Sequence, residues 1–199
     1  MEFLQFIHLN KGKIIQANGR QISYENLLKL TKNEKKLYIY DNDAIKQNKP
    51  NLKYYQKLSA SNEIWLDANP RDLVDIIDYL TTGVEAIILR SGNSFKFNLN
   101  NIRDLSDINL YKNIDFNFYT NNIDQYNFSP KYNGFVFTDK NIFHYIDFKF
   151  EGFIKKLSMN NEVIVYESDP KNVIYWKKLN ITKFIVPIEK IEEFKSHAF

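Results

Sequence analysis

The chain has 199 residues, with 27 Lys and Arg against 24 Asp and Glu, for a formal net charge of +3. Hydrophobic residues make up 44% and aromatics 16%, which excludes a disordered chain, and the lysines are scattered rather than gathered into a nucleic-acid stripe. With no cysteine there is no disulfide framework, thiolate nucleophile or cysteine-based zinc site.

No apolar run is long enough to cross a bilayer, and "MEFLQFIHLNKGK" lacks the basic start and cleavage site of a leader. The expectation is a cytoplasmic protein with no nucleic-acid or membrane partner.

The first strand is expected over Phe3–Leu9, followed by "SYENLLKLTKN", where Ser23 is an N-cap ahead of Leu27, Leu28 and Leu30. The second strand, Leu37–Asp41, ends in "DND". Residues i and i+2 share a strand face, so Asp41 and Asp43 are expected on the side of Leu37 and Ile39. Acids there are costly to bury unless paired, so that end either opens to water or is a site. The third strand is Glu63–Asp67. In "NPRDLVDIIDYLTTG" Pro70 reads as an early helical position, Leu73, Ile76, Ile77 and Leu80 as the buried stripe, and Gly83 as the stop. Ala86–Leu89 reads as the fourth strand, Asp115–Tyr119 as the fifth, Gly134–Thr138 as the sixth, Glu162–Tyr166 as the seventh and Lys183–Val186 as the eighth. In "DPKNVIYWKKLN" Asp169 is the expected N-cap, with Val173, Ile174 and Trp176–Leu179 inward.

Strand alternating with helix predicts a parallel sheet. Eight strands in 199 residues predict one small (β/α)8 TIM barrel over 1–199, at the lower end of a class that usually needs about 250 residues. "NLNNIRDLSDINLY" leaves room only for a short helix after the fourth strand and "NNIDQYNFSPKY" for less than one after the fifth, so the fourth and fifth helical units are expected to be shortened. An open doubly wound sheet is the alternative, but no glycine-rich first turn supports it.

In such a barrel the loops after the strands build the site. Those ends give His8, Asp41 with Asp43, Asp67, Arg90 with Ser91, Tyr119, and Thr138 with Asp139. "FIHLNKGKII", the D-x-D-A of "YDNDA", "EIWLDANPRDLVDIIDYLTTGVEAIILRS" and "GFVFTD" together resemble the histidine-biosynthesis barrels, the HisA-type phosphoribosyl-formimino isomerase and its HisF-type cyclase sibling. The resemblance implies catalytic positions at His8, Asp41 and Tyr119. It implies ligand positions at Asp43, Asp67, Arg71, Arg90, Ser91, Thr138 and Asp139.

That reaction needs a base and an acid on opposite sides of a sugar, and glycine-lined amide cradles for two phosphates. His8 stands where the family has its aspartate, with Asp41 as a candidate to orient it, and Tyr119 is a poor acid. The turns after the seventh and eighth strands read "YESDPKN" and "VPIEKIEEF", without glycine and with Glu167, Asp169 and Glu189 in place of the cradle. The expectation is a divergent homologue that has lost the isomerase reaction and acts as a non-catalytic or partner-binding protein. The alternative is an isomerase or lyase on a small phosphorylated sugar or heterocycle, in histidine-like or one-carbon-cofactor biosynthesis. A ligand at the mouth, and a protein partner or second copy, are the expected partners. No cofactor is expected and no metal, since the histidines lack ligand spacing and no P-loop or dinucleotide fingerprint is present.

Overall fold

This computed structural model describes residues 1–33, 35–90, 99–114, 132–140, 142 and 146–197. Eight parallel strands close on themselves: β1 (Glu2–Asn10), β4 (Lys36–Asp41), β5 (Glu63–Asp67), β6 (Ala86–Arg90), β7 (Asn109–Asn113), β8 (Gly134–Phe137), β9 (Glu162–Tyr166) and β10 (Lys183–Pro187). β10 returns to pair with β1, Glu2 beside Lys183 through Phe6 beside Pro187, which completes a (β/α)8 barrel. The short strands β2 (Lys13–Ile15) and β3 (Gln21–Ile22) form an antiparallel extension from the end of β1.

Among the described residues the α-helices are α1 (Tyr24–Leu30), α2 (Asn42–Gln47), α3 (Leu52–Ser59), α4 (Leu73–Thr81), α5 (Leu99–Leu105), α6 (Phe148–Asn160) and α7 (Val173–Lys178) between strands, and α8 (Ile191–His197) after the last one. Ser23 caps α1 and Asp169 caps the turn before α7, as the sequence predicts. α4 starts at Leu73 rather than near Pro70, because the Asp72 carboxylate accepts the Asp75 amide at 3.0 Å and fixes the first turn there. Its buried face is Ile76 and Tyr79, and Ile77 is exposed. Ile174, expected inward, is exposed as well, while Val173, Trp176 and Leu179 are buried. α5, at 7 residues, is as short as its sequence predicts.

The fifth barrel strand is Asn109–Asn113, six positions before the expected Asp115–Tyr119. It pairs with β6 from Ala86–Asn109 to Arg90–Asn113, and with β8 from Tyr111–Gly134 to Asn113–Val136. Asp115 and Tyr119 lie outside the described residues, as do Ser91 and all but Tyr132 of the segment expected to form the shortened fifth unit.

Register decides what points into the barrel. Leu4, Phe6, Tyr38, Trp65, Ile88, Val136 and Ile164 form one buried cluster inside it. Leu37, Ile39, Leu66 and Leu89 pack outward with Leu27, Leu58 and Ile76 of the helices, and Phe137, Val165 and Phe184 with Ile154 and Trp176. The lower end of the interior is closed by ion pairs. Glu2 accepts from Lys36 at 2.8 Å and Lys183 lies 3.2 Å away, while Lys183 also meets Glu162 at 2.7 Å. The Tyr111 hydroxyl donates to Glu162 at 2.5 Å.

Candidate functional site

The upper end of the barrel, where the strands finish, opens into a cavity of about 560 Å³. Its floor is an edge-to-face run of rings on β1 and β4. Phe6 and His8 have centroids 4.6 Å apart at 78°, and His8 and Tyr40 5.5 Å apart at 74°. These are even-numbered residues, set inward by the pairing of Phe6 with Tyr38 and His8 with Tyr40. Burial, and then the nearby Lys140 ammonium, push the His8 imidazole down to about 4, so the ring is neutral at physiological pH.

Arg90 enters from β6. Its Nε donates to Asp67 Oδ1 at 2.8 Å and its Nη2 to Asp67 Oδ2 at 2.6 Å, and the guanidinium lies 4.9 Å from the Tyr40 ring centroid. The Tyr38 hydroxyl also donates to Asp67 Oδ2, at 2.9 Å. Asp67 is fully buried beneath this pair, so its charge is spent inside the barrel. Asn113 donates to the Thr138 hydroxyl at 2.8 Å, and both line the cavity with Asp139 and Lys140. On the β1 side Asn42 donates to Asn10 at 2.9 Å. The hairpin after β1 borders the cavity through Gln16, Ala17 and Gly19, and it is tied down by the Asn18 amide, which donates to Glu189 Oε1 at 2.9 Å.

Asp41 and Asp43 are not part of this site. The pleat that turns Tyr40 inward turns Asp41 outward beside Leu9, so no dyad with His8 forms. Asp41 Oδ1 caps α2 by accepting from the amides of Asp43 at 2.9 Å and Ala44 at 3.0 Å. Its Oδ2 accepts from the Asn51 amide at 3.0 Å and from the Tyr55 hydroxyl. Asp43 grips the turn after β1, accepting from Lys11 at 2.7 Å and Gly12 at 2.9 Å, where both residues have positive φ. Burial pushes the Asp43 carboxyl up, but the Gly12 and Lys11 amides and the Asn51 side chain outweigh it and hold it below its ordinary value. Arg71 lies on the surface in a bidentate pair with Asp75 at 2.9 Å.

The acids expected to crowd the rim are used in the same way. Glu167 Oε1 accepts from the amides of Ser168 at 2.8 Å and Asp169 at 2.9 Å, and Oε2 accepts from the Trp176 indole at 2.8 Å. Asp169 accepts from the Lys171 amide at 3.0 Å. None of Glu167, Asp169 and Glu189 lines the cavity, whose border instead carries Lys46, Arg90 and Lys140.

Of the sequence-predicted positions, His8, Arg90, Thr138 and Asp139 come together at the cavity and Asp67 sits directly beneath it, whereas Asp41, Asp43 and Arg71 lie elsewhere. Reading the sequence missed Tyr40, Asn113, Lys46 and Lys140. Tyr40 is legible once the opposite pleat is chosen, and Lys140 directly follows the "TD" that comes after β8. Asn113 was hidden by the misplaced fifth strand. Among the described residues, no group of three His, Asp or Glu side chains is placed to hold a metal ion, and no helix is long and apolar enough to cross a membrane. No family model and no curated protein matches this sequence.

Proposed function

We propose that this barrel binds a small molecule at its mouth and is a divergent relative of the HisA/HisF-type barrels that has lost their phosphoribosyl isomerase reaction. Glu167 carries this reading. The amides after the seventh barrel strand, where those enzymes would cradle a phosphate, already donate to this side chain, and the next free amide donates to Asp169. A carboxylate covalently tethered in an anion cradle excludes an external dianion by occupancy and by charge. At the end of the eighth barrel strand Pro187 has no N–H to offer.

The base expected at the first strand is weakened as well. His8 takes the place of the first-strand base, but an imidazole held at about 4 is a feeble proton acceptor at neutral pH. Across the mouth the fifth strand ends in Asn113, whose amide neither gives nor takes a proton.

The test is an isomerisation assay on a phosphoribosyl aminoaldose, run beside calorimetric titration with ribose 5-phosphate. The expected result is no turnover above background and no saturable heat. Turnover that is lost in His8→Ala would overturn the reading. Self-association is favoured by Phe148, Met159 and Ile174, large apolar side chains exposed on α6 and α7. Sedimentation at increasing concentration tests it, and a strict monomer rules it out.

A further inference from the structure

The chemistry of the ligand can be read from the cavity itself, an inference that deepens the proposed small-molecule site and rests on it. Among the described residues the space is bordered by two lysines, Lys46 and Lys140, and by one carboxylate, Asp139. Neither lysine has an acidic partner within ion-pair distance among the described residues. Lys140 instead lies over the Phe6 and Tyr166 rings, 5.8 and 5.9 Å from their centroids. Arg90 is neutralised by Asp67 through Nε and Nη2, but its Nη1 has no hydrogen-bond partner among the described residues and is left for a ligand oxygen.

The same space has an apolar floor of ring edges and faces, Phe6, His8 and Tyr40, with His8 uncharged. Lys140 and the open Nη1 of Arg90 offer two donors to the two oxygens of one carboxylate, with Lys46 also on the border. The amides that would favour a phosphate dianion are taken by Glu167, which leaves a carboxylate as the better match. We infer that the mouth is a site for a small aromatic monocarboxylate, its ring on Phe6, His8 and Tyr40 and its carboxylate held by Lys140 and the open Nη1 of Arg90. The volume of about 560 Å³ falls within the range of ligand pockets and admits a bicyclic ring system.

The experiment titrates the intact protein with 2-naphthoate, 2-naphthyl phosphate and neutral 2-naphthol, reading affinity by calorimetry and location by NMR. The inference expects 2-naphthoate to bind most tightly, with ring-current shifts at His8 and Tyr40. It also expects Lys140→Gln, a change at an exposed side chain, to weaken 2-naphthoate about tenfold, the size of one charge-assisted hydrogen bond. Equal affinity for 2-naphthol, or no effect of Lys140→Gln, overturns the carboxylate inference and leaves a neutral small-molecule site standing. Tighter binding of 2-naphthyl phosphate overturns it too, and if the Ser168 and Asp169 amides shift, the closed-cradle reading falls with it. Failure of all three probes to bind overturns the aromatic site.

Discussion

Asp41→Ala separates a structural acid from a catalytic one. The side chain is fully buried and its two oxygens serve the amides of Asp43, Ala44 and Asn51, the Asn51 side chain and the Tyr55 hydroxyl. Losing an N-cap costs about 1 kcal/mol. Leaving further buried donors without an acceptor adds about 1–3 kcal/mol each. Local rearrangement and water entry recover part of that, so about 3–5 kcal/mol is expected, a large share of the roughly 5–15 kcal/mol that holds a typical domain together. The assay is urea denaturation followed by tryptophan fluorescence, with ligand binding at the mouth measured below the transition. Asp41→Asn should fall between wild type and Ala, because it keeps an acceptor for the α2 amides but sets an NH2 group toward the remaining donors. A loss under 1 kcal/mol for Asp41→Ala, with ligand affinity destroyed, would refute the structural assignment and return Asp41 to the site.

Gly134 faces the barrel interior, and a Cβ there would meet the Glu162 carbonyl oxygen at 2.4 Å and the Tyr111 ring at 2.9 Å. Gly134→Ala should therefore cost about 1–3 kcal/mol and lower Tm by several degrees in a thermal melt; an unchanged melt would show that the β7–β8–β9 packing is wrong. Histidine NMR should place the His8 pKa near 4, and Lys140→Gln should move it back toward 6.5, since the lysine is the second cause of the depression after burial. The linkage follows from the same shift. Between 6.5 and 4 the unfolded chain takes up a proton that folded His8 refuses, so this residue makes stability fall as pH drops through that window. His8→Gln should remove that part of the pH dependence, and a slope identical to wild type would contradict it.

The barrel was legible because seven of its strands are short β-rich runs bounded by caps and turns, alternating with helical stretches whose stops, such as Gly83 at φ +80, are local. The fifth strand escaped because its polar residues do not look like wall. Lys112 is half-buried, with its ammonium 5.8 Å from the Tyr132 ring centroid and its pKa lowered by burial, and Asn109 and Asn113 face inward at the two ends. The direction of Asp41 was illegible for a different reason. Both faces of a parallel barrel strand are buried, so Leu37 and Ile39 on one side and Tyr38 on the other carry equal apolar weight. Alternation then fixes which residues share a face but not which face is the interior, and a shift of one residue exchanges site for scaffold. The same ambiguity made Glu167 look like a rim charge when it is the acceptor that closes its own turn.

The closed cradle at Ser168 and Asp169 is tested most directly by following their backbone amides in a ¹⁵N-resolved titration with ribose 5-phosphate. With Glu167 already accepting both N–H groups, the two resonances should stay in place while the sugar phosphate is raised to millimolar concentration. Saturable downfield movement of both, strengthened in Glu167→Gln, would show that a phosphate competes for those amides and would contradict the account.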